Sequence, residues 1–190
     1  MDYYRAMRLE AGTSAPDFET VTLTGQRVQL SHLRGRLVWL SFYRYAACPL
    51  CCYRVHELLS AWDEMFRDLG IVSLTVWQSP EKKLNDILDR YQPPFELISD
   101  PDLKIYEAYG IEKGIAKVLG KEVFSGVAGA FKAGIPVVRP WDGPATRRPA
   151  DFLIAPDGTI DVAFYGENVG QMIPFEDVLA WARPHLANAV

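Results

Sequence analysis

The sequence predicts one α/β domain with a central sheet that helices cover on both faces. Three observations support this class: short apolar, β-prone runs, amphipathic segments that follow them, and a turn sequence between two β-prone runs near the end. Strands that alternate with helices favour a parallel-centred sheet. With 49% hydrophobic and 23% charged residues among 190, the chain can bury the core of such a domain.

The first elements are an extended entry, a strand and a long helix. The polar, turn-rich segment 11–33 predicts a short hairpin or an extended entry to the core. Residues 36–43 (RLVWLSFY) predict a buried central strand. Apolar residues at three- and four-residue spacing then predict a helix from Pro49 to Leu69, which Gly70 closes.

A second strand and helix follow in the same order. The run 71–77 (IVSLTVW) predicts a buried strand, and 80–91 predicts a helix that begins at a proline. Residues 95–98 predict a further short strand. A helix is expected over 102–109, and Gly110 ends it.

The C-terminal part predicts a hairpin and a closing helix. Pro156-Asp157-Gly158 is a turn sequence between the β-prone runs 151–155 and 160–165. Residues 174–186 have the apolar spacing of a helix that packs on the domain. The sheet therefore ends in an antiparallel pair.

Residues 110–148 predict a helical insertion within the single domain 1–190, because helical apolar spacing is interrupted there by glycines. Leading directly into Pro149, the insertion is expected over or beside the cysteines, either as a mobile lid or as a static covering helix. Its lysines could form a basic face for a membrane surface, but Glu112 and Glu122 dilute that face. We therefore expect the helix to pack on its own domain.

Charge and hydropathy exclude several classes of protein. The 20 Lys and Arg residues against 24 Asp and Glu give a formal net charge of -4, which offers no attraction for nucleic acid or anionic lipid. No apolar run approaches the roughly 18 residues needed to span a bilayer. The first eight residues lack the apolar core of a signal peptide. We expect a cytoplasmic protein that contacts neither nucleic acid nor membrane.

The three cysteines, Cys48, Cys51 and Cys52, lie within five residues and cannot staple distant parts of the chain. Cys48 stands between the predicted strand and a helix that starts at Pro49. It is therefore predicted to be the helix N-cap, where the helix dipole and unpaired amides favour a thiolate. Arg44 is near enough in sequence to assist.

Cys51 lies one turn along the same side of the helix, where its Cα is about 5 Å from that of Cys48 and within disulfide range. The pair can therefore cycle between dithiol and disulfide. Cys52 is expected to pack in the core, because a bridge between adjacent residues would strain their peptide.

Two other interpretations of these cysteines stay open. Free cysteines are often small buried hydrophobes, and a Cys-x-x-Cys pair can be half of a zinc site. Zinc would need two more ligands, and His56 is the only nearby candidate, so no metal is expected. A dithiol–disulfide cycle needs no organic cofactor, and none is expected either.

Three motifs in order resemble the peroxiredoxin-like branch of the thioredoxin superfamily, the redoxin or alkyl hydroperoxide reductase type. They are GTSAPDF at 12–18, FYR at 42–44 leading into CPLC at 48–51, and PADFLIAPDG at 149–158. The resemblance covers most of the chain. It implies a thioredoxin-like fold in which Cys48 attacks and Cys51 resolves. It also implies a peroxide or disulfide substrate, a thioredoxin-like reductant and possible homodimers.

The sequence departs from this family at positions that bear on the reaction. The usual proline seven residues before the attacking cysteine is Ser41, and the usual threonine or serine three before it is Tyr45. The phenol of Tyr45 could donate a hydrogen bond to a peroxide oxygen or only pack at the strand end. Pro149 stands where the family has its second arginine and resembles the cis-proline of disulfide reductases, with Arg148 directly before it.

The resemblance thus implies a thiol peroxidase, and two alternatives stay open. One is a disulfide oxidoreductase without significant peroxidase activity, using the same Cys48 and Cys51. The other is a thioredoxin-fold binding module that keeps its cysteines for packing.

Overall fold

A computed structural model describes residues 8–111, 120–135, 143–144 and 146–187. In this part of the chain, the strands are β1 Glu19–Val21, β2 Arg27–Gln29, β3 Val38–Phe42, β4 Val72–Trp77, β5 Glu96–Ser99, β6 Ala150–Ile154 and β7 Ile160–Tyr165. The α-helices are α1 Pro49–Ala61, α2 Glu81–Tyr91, α3 Lys104–Ala108, α4 Lys121–Lys132 and α5 Phe175–Ala187. The order of strands and helices is the one expected from the sequence.

The main sheet has the strand order β5-β4-β3-β6-β7. The strands β3, β4 and β5 are parallel, and β6 runs antiparallel to both β3 and β7. This mixed sheet with its C-terminal hairpin confirms the thioredoxin-like fold. The entry segment forms the separate antiparallel pair of β1 and β2, which confirms the short hairpin.

β3 is buried on both faces, which explains its unbroken apolar sequence. Trp39 and Tyr43 contribute to one apolar cluster with the buried faces of α1 and α2. Leu40 and Phe42 contribute to the other cluster, beneath α3. Because β3 is the central strand, the loop that follows it leaves the sheet between these two layers.

The helix predicted from Pro49 to Leu69 is not α-helical throughout. The α-helix ends at Ala61 and continues as a π-helical turn, Trp62–Phe66, and a 3-10 turn, Arg67–Leu69. The π turn carries Phe66 into the core, where its ring centroid lies 5.4 Å from that of Trp39. Periodicity cannot detect this change, because one extra residue in a turn alters the apolar spacing very little.

Within the predicted insertion, the described residues contain α4, which packs along α1. Lys113 and Lys117 lie outside the described residues, as do Glu112 and much of the remainder of 110–148. No helix in the described ranges is both long and apolar enough to cross a membrane. The two tryptophans Trp39 and Trp77 are core residues.

Candidate redox site

The cysteines lie where β3 ends and α1 begins, at the carboxyl edge of the parallel strands. Cys48 has extended backbone angles, φ -81 and ψ 114, and its Sγ accepts a hydrogen bond from the Cys51 amide at 3.4 Å. Pro49 occupies the first helical turn, where its missing N–H removes no helical hydrogen bond. Cys48 is therefore the N-cap of α1, as predicted.

The environment of Cys48 stabilises its thiolate although the side chain is only 1% exposed. Burial by itself raises the pKa of Cys48. A hydrogen bond with the Cys51 side chain, the charge of Arg44 and the amides of Cys51 and Leu50 outweigh it and lower that pKa to about 7. A cysteine with such a pKa is partly ionised at neutral pH and is nucleophilic.

Cys51 has the opposite character. Burial, the hydrogen bond with Cys48 and the negative charge of the Cys48 thiolate raise its pKa well above the ordinary range. Its Sγ accepts a hydrogen bond from the Arg44 amide at 3.4 Å. The two thiols therefore differ in the expected direction: Cys48 ionises first, and Cys51 keeps its proton.

Arg44 and Tyr45 form the polar wall beside the two sulfurs. The Arg44 Nη2 donates to the Tyr45 hydroxyl at 3.2 Å, and its Nη1 donates to the Val169 carbonyl at 3.4 Å. Burial disfavours the guanidinium, but the charges of Cys48 and Cys51 overcome this and raise the pKa of Arg44. Burial raises the pKa of Tyr45 to about 12. The phenol therefore stays protonated beside the thiolate.

Several residues that hold this loop in place were not identified from the sequence. The Ser79 hydroxyl accepts from the Ala46 amide at 2.7 Å, and the Tyr106 hydroxyl donates to the carbonyls of Tyr43 and Val76. Ser79 follows β4 at the sheet edge where Cys48 follows β3. A polar residue directly after a buried strand is the signal that could have found it.

Pro149 is buried and precedes β6, whose residue Ala150 is paired with Phe42 of β3. It is thus at the edge from which the cysteine loop leaves, and its carbonyl accepts from the Gly166 amide at 3.0 Å. Arg148 is half-buried beside it. The largest cationic influence on Cys48 is nevertheless Arg44, not Arg148.

Arg147 and Arg54 have other contacts. Arg147 is buried, its Nε donates to the Gln78 Oε1 at 2.8 Å, and its guanidinium carbon lies 5.0 Å from the Tyr106 ring centroid. Arg54, which is also close to Cys48 in sequence, donates to the Ile173 carbonyl and lies over Phe175. It connects α1 to the segment before α5.

Cys52 is half-buried and packs against the edge of the core cluster rather than inside it. Its Sγ donates to the Ala46 carbonyl at 3.2 Å and lines a cleft of about 590 Å³ between the cysteine loop and α2. His56 is exposed and stacks on Tyr53. Among the residues that the structure describes, no three His, Cys, Asp or Glu side chains are grouped to hold a metal ion.

The chain matches one known protein family over most of its length. The family model described as AhpC/TSA family matches residues 11–163. The chain belongs to the AhpC/TSA family. It is thus a peroxiredoxin-like member of the thioredoxin superfamily, which confirms the resemblance found in the motifs.

AhpC/TSA relatives match at moderate identity. Peroxiredoxin Bcp of Bacillus subtilis is 30% identical over 116 residues, which cover 61% of this chain and 73% of that protein. Peroxiredoxin Bcp of Escherichia coli is 27% identical over 177 residues, 93% of this chain and 97% of that protein. These relatives confirm the expectation of an oxidoreductase of the thiol-dependent peroxidase class.

Solved structures with the same fold are more distant in sequence. Peroxidoxin BcpB from Mycobacterium tuberculosis has a TM-score of 0.65 at 19% identity, over 95% of this chain and 98% of that chain. The thioredoxin domain of a thiol-disulfide oxidoreductase from Bacteroides vulgatus has a TM-score of 0.58 at 18% identity. The match covers 92% of this chain and 99% of that domain. The fold is therefore shared by peroxidases and disulfide reductases.

Proposed function

We propose that this protein reduces hydroperoxides with the Cys48 thiolate and completes each turnover through a Cys48–Cys51 disulfide. The observation that carries the proposal is the N-cap position of Cys48, where the Cys51 amide and the Arg44 charge lower its pKa to about 7. The thiolate attacks one peroxide oxygen, an S–O bond forms and the O–O bond breaks. The alkoxide leaves and takes a proton from solvent to become an alcohol, and Cys48 becomes a sulfenic acid.

The second step needs a second thiol within reach of the Cys48 sulfur, and Cys51, whose side chain is hydrogen-bonded to that of Cys48, is positioned to supply it. Cys51 gives up its proton as it attacks the Cys48 sulfur, because the thiolate is the nucleophile. The S–S bond then forms, the S–O bond breaks, and the hydroxyl leaves as water with that proton. A thioredoxin-like dithiol returns the pair to its reduced state, and no metal or organic cofactor enters the cycle.

In this proposal Arg44 and Tyr45 replace the threonine or serine that the family carries before its attacking cysteine. The guanidinium stabilises negative charge on the thiolate and on the departing alkoxide. The protonated phenol of Tyr45 is a hydrogen-bond donor for a peroxide oxygen. Pro149 and Arg148 are assigned positioning roles at the sheet edge, and Pro49 fixes the first turn of α1.

The peroxide must reach a sulfur that is almost fully buried. We assign its path to the cleft of about 590 Å³ lined by Ala46, Ala47 and Cys52, because these residues flank Cys48. This volume lies within the range of ligand sites, about 300–1,000 Å³. A cleft of this size admits an organic hydroperoxide as well as hydrogen peroxide.

Stopped-flow measurement of Cys48 oxidation by hydrogen peroxide tests the proposal. We expect a second-order rate constant at least about a hundredfold above that of free cysteine thiolate. The Cys51→Ser variant should retain this first step and fail to turn over with a dithiol donor. A rate equal to that of free thiolate would remove the peroxidase assignment.

A second candidate is a disulfide oxidoreductase. The observations that favour it are the phenol of Tyr45 in place of a small hydroxyl and the buried Pro149 beside a Cys-x-x-Cys pair. Here Cys48 attacks a substrate disulfide, and Cys51 releases the reduced product. Reduction of insulin disulfides faster than of hydrogen peroxide, with both reactions lost in Cys48→Ser, would favour this candidate.

The reducing cytoplasm is the compartment that suits this cycle, because a dithiol donor must reduce the Cys48–Cys51 disulfide after each turnover. Immunodetection in separated cytoplasmic and periplasmic fractions tests that location. The homodimer expected from the family stays a prediction, which light scattering of the purified protein will check.

A further inference from the structure

The outer face of α4 exposes an unusual amount of apolar side chain. Among the described residues, the large hydrophobic side chains with high exposure are Val21, Phe124, Val127 and Phe131. The three on α4 are 65%, 49% and 86% exposed. Their spacing of three and four residues places them on one face of the helix. An exposed apolar face of this kind indicates an interaction surface for a protein, a membrane or a ligand.

The charges on this face are all positive. Lys121 and Lys132 are exposed at the two ends of α4, and Ala128 is exposed between them. The acidic residue within α4, Glu122, turns away and accepts a hydrogen bond from the Asn168 Nδ2 at 3.1 Å. Glu122 therefore lies off the outer face of α4, while Lys113 and Lys117 of the basic face considered from the sequence lie outside the described residues.

The inner face of α4 is fixed against α1, so the apolar face cannot turn inward. A Cβ on Gly126 would stand 2.7 Å from the Leu50 Cδ2, and one on Gly129 would overlap the Tyr53 ring. A side chain at either position would force Leu50 or Tyr53 to shift. Two glycines thus dock the helix tightly while its aromatic residues project outward.

We propose that the outer face of α4 binds the surface of an anionic lipid bilayer. A helix of 12 residues is about 18 Å long, too short to span the bilayer but suited to lie in its interface. The rings of Phe124 and Phe131 enter the acyl boundary. The stems of Lys121 and Lys132 reach up to the phosphates at either end.

Charge and shape favour a bilayer over a protein partner. A two-fold pairing of α4 with a second copy along its length places lysine against lysine, whether the helices run parallel or antiparallel. A partner helix also needs a groove to receive it, whereas Phe131 is 86% exposed and is not enclosed by a groove. The net charge of -4 is distributed over the whole protein. At physiological salt it is screened beyond about 8 Å, so the local lysines determine the attraction.

This contact would place the cysteine site at the membrane surface. The inner face of α4 lies against Leu50 and Tyr53, in the first two turns of α1 after Cys48. One helix diameter, about 10 Å, therefore separates the first turns of α1 from the headgroups. The binding itself does not depend on which reaction Cys48 performs.

Co-sedimentation with unilamellar vesicles tests the proposal on the intact protein. We expect binding to phosphatidylcholine vesicles that contain about 30% phosphatidylglycerol, and weaker binding as salt rises from about 0.05 to 0.5 M. The variant Phe124→Ser/Val127→Ser/Phe131→Ser should lower the partition constant at least about tenfold. Lys121→Gln/Lys132→Gln should abolish the preference for phosphatidylglycerol.

Val21→Ser is the matched control, because Val21 is 50% exposed on β1, outside the proposed surface, and should bind like the unmodified protein. If the triple variant loses its helical circular dichroism, Phe131→Ser alone replaces it, and this single variant should also lower the partition constant. No sedimentation with anionic vesicles, or equal binding by the serine variants, would overturn the proposal. A dimer without lipid that the same serines dissociate would assign the face to a second copy and also overturn it.

Discussion

Arg44 is the residue on which the reactivity of Cys48 depends most among the charged groups. Its guanidinium is buried and lowers the pKa of Cys48, whereas Arg148 is not among the main causes of that shift. We predict that Arg44→Met raises the pKa of Cys48, and that Arg148→Met changes it less. The pH dependence of the iodoacetamide alkylation rate, measured in Cys51→Ser/Cys52→Ser backgrounds, gives both values. A larger shift in Arg148→Met would reverse the assignment.

The lowered pKa of Cys48 also links stability to pH. The pKa of this thiol is about 7 in the folded protein against 9.0 for an unperturbed cysteine, so folding favours the ionised form. The stabilisation is fully present above the unfolded pKa and is lost as pH falls through the folded pKa. Relative to Cys48→Ser, the reduced protein should gain on the order of 2 kcal/mol in unfolding free energy between pH 6 and 9.

Urea unfolding of both proteins under a reducing agent measures this difference. The raised pKa of Cys51 has the opposite sign, and it contributes mainly as pH reaches the unfolded value of 9.0, so most of the chosen window is undisturbed. A difference between the two proteins that is flat from pH 6 to 9 would contradict a thiolate at Cys48.

Residue chemistry was the part of the site that the sequence predicted best. The N-cap position of Cys48 followed from a strand, a cysteine and Pro49 in succession, because a helix start is a local property. The contacts of Arg44 with Val169 could not be predicted, since they join positions 125 residues apart. Cys52 packs at the edge of the core, as expected of a packing residue, but its hydrogen bond to the Ala46 carbonyl could not be predicted, because that carbonyl belongs to the backbone of a turn.

At the scale of elements, the close contact between α1 and α4 depends on two glycines of α4, Gly126 and Gly129, which have no side chain to hold the helices apart. A methyl group added at Gly129 would overlap the Tyr53 ring, so Tyr53 must move. We predict that Gly129→Ala destabilises the protein by about 1–3 kcal/mol despite the better helix propensity of alanine. In a Tyr53→Ala background the same substitution should be neutral or stabilising.

A double-mutant cycle from urea unfolding isolates this coupling. If Gly129→Ala costs the same free energy with and without the Tyr53 ring, close approach of the two helices is not what the glycine provides.

The same contact connects α4 to the redox state of the site. Formation of a Cys48–Cys51 disulfide changes the first turn of α1, which contains Leu50, a contact of α4. We therefore predict that amide hydrogen exchange in α4 differs between oxidised and reduced protein, in the manner of a lid. Altered exchange around Cys48 together with unchanged exchange across Lys121–Lys132 would leave α4 as a static cover.

At the scale of the whole molecule, the order of elements was predictable and their connections were not. Hydrophobic periodicity predicted β3, α1, β4 and the C-terminal hairpin, because each has its own local pattern. The buried carboxylate of Asp151 shows what that reasoning misses. It accepts hydrogen bonds from the Trp39 indole, the Ser41 hydroxyl and the Ile173 amide, and so joins β3, β6 and the segment before α5.

The whole fold was also predictable from family resemblance, because three motifs predicted the AhpC/TSA membership and the thioredoxin-like fold. Ser41 illustrates the limit of such likeness. It departs from the family's proline, and the structure shows why a hydroxyl serves there: it donates to Asp151 at 2.6 Å inside the core. Long-range partners of this kind are visible only once the strands are paired.

The mass of the reduced protein after one equivalent of hydrogen peroxide tests the central claim, that Cys48 is oxidised first and Cys51 resolves it. The account predicts that the unmodified protein loses two hydrogens. It predicts that Cys51→Ser gains one oxygen on Cys48 as a sulfenic acid, and that dimedone then labels this sulfenic acid. Cys48→Ser should show neither change. Oxidation of Cys48→Ser at the rate of the unmodified protein, or an oxygen adduct on Cys51 in place of Cys48, would contradict the account.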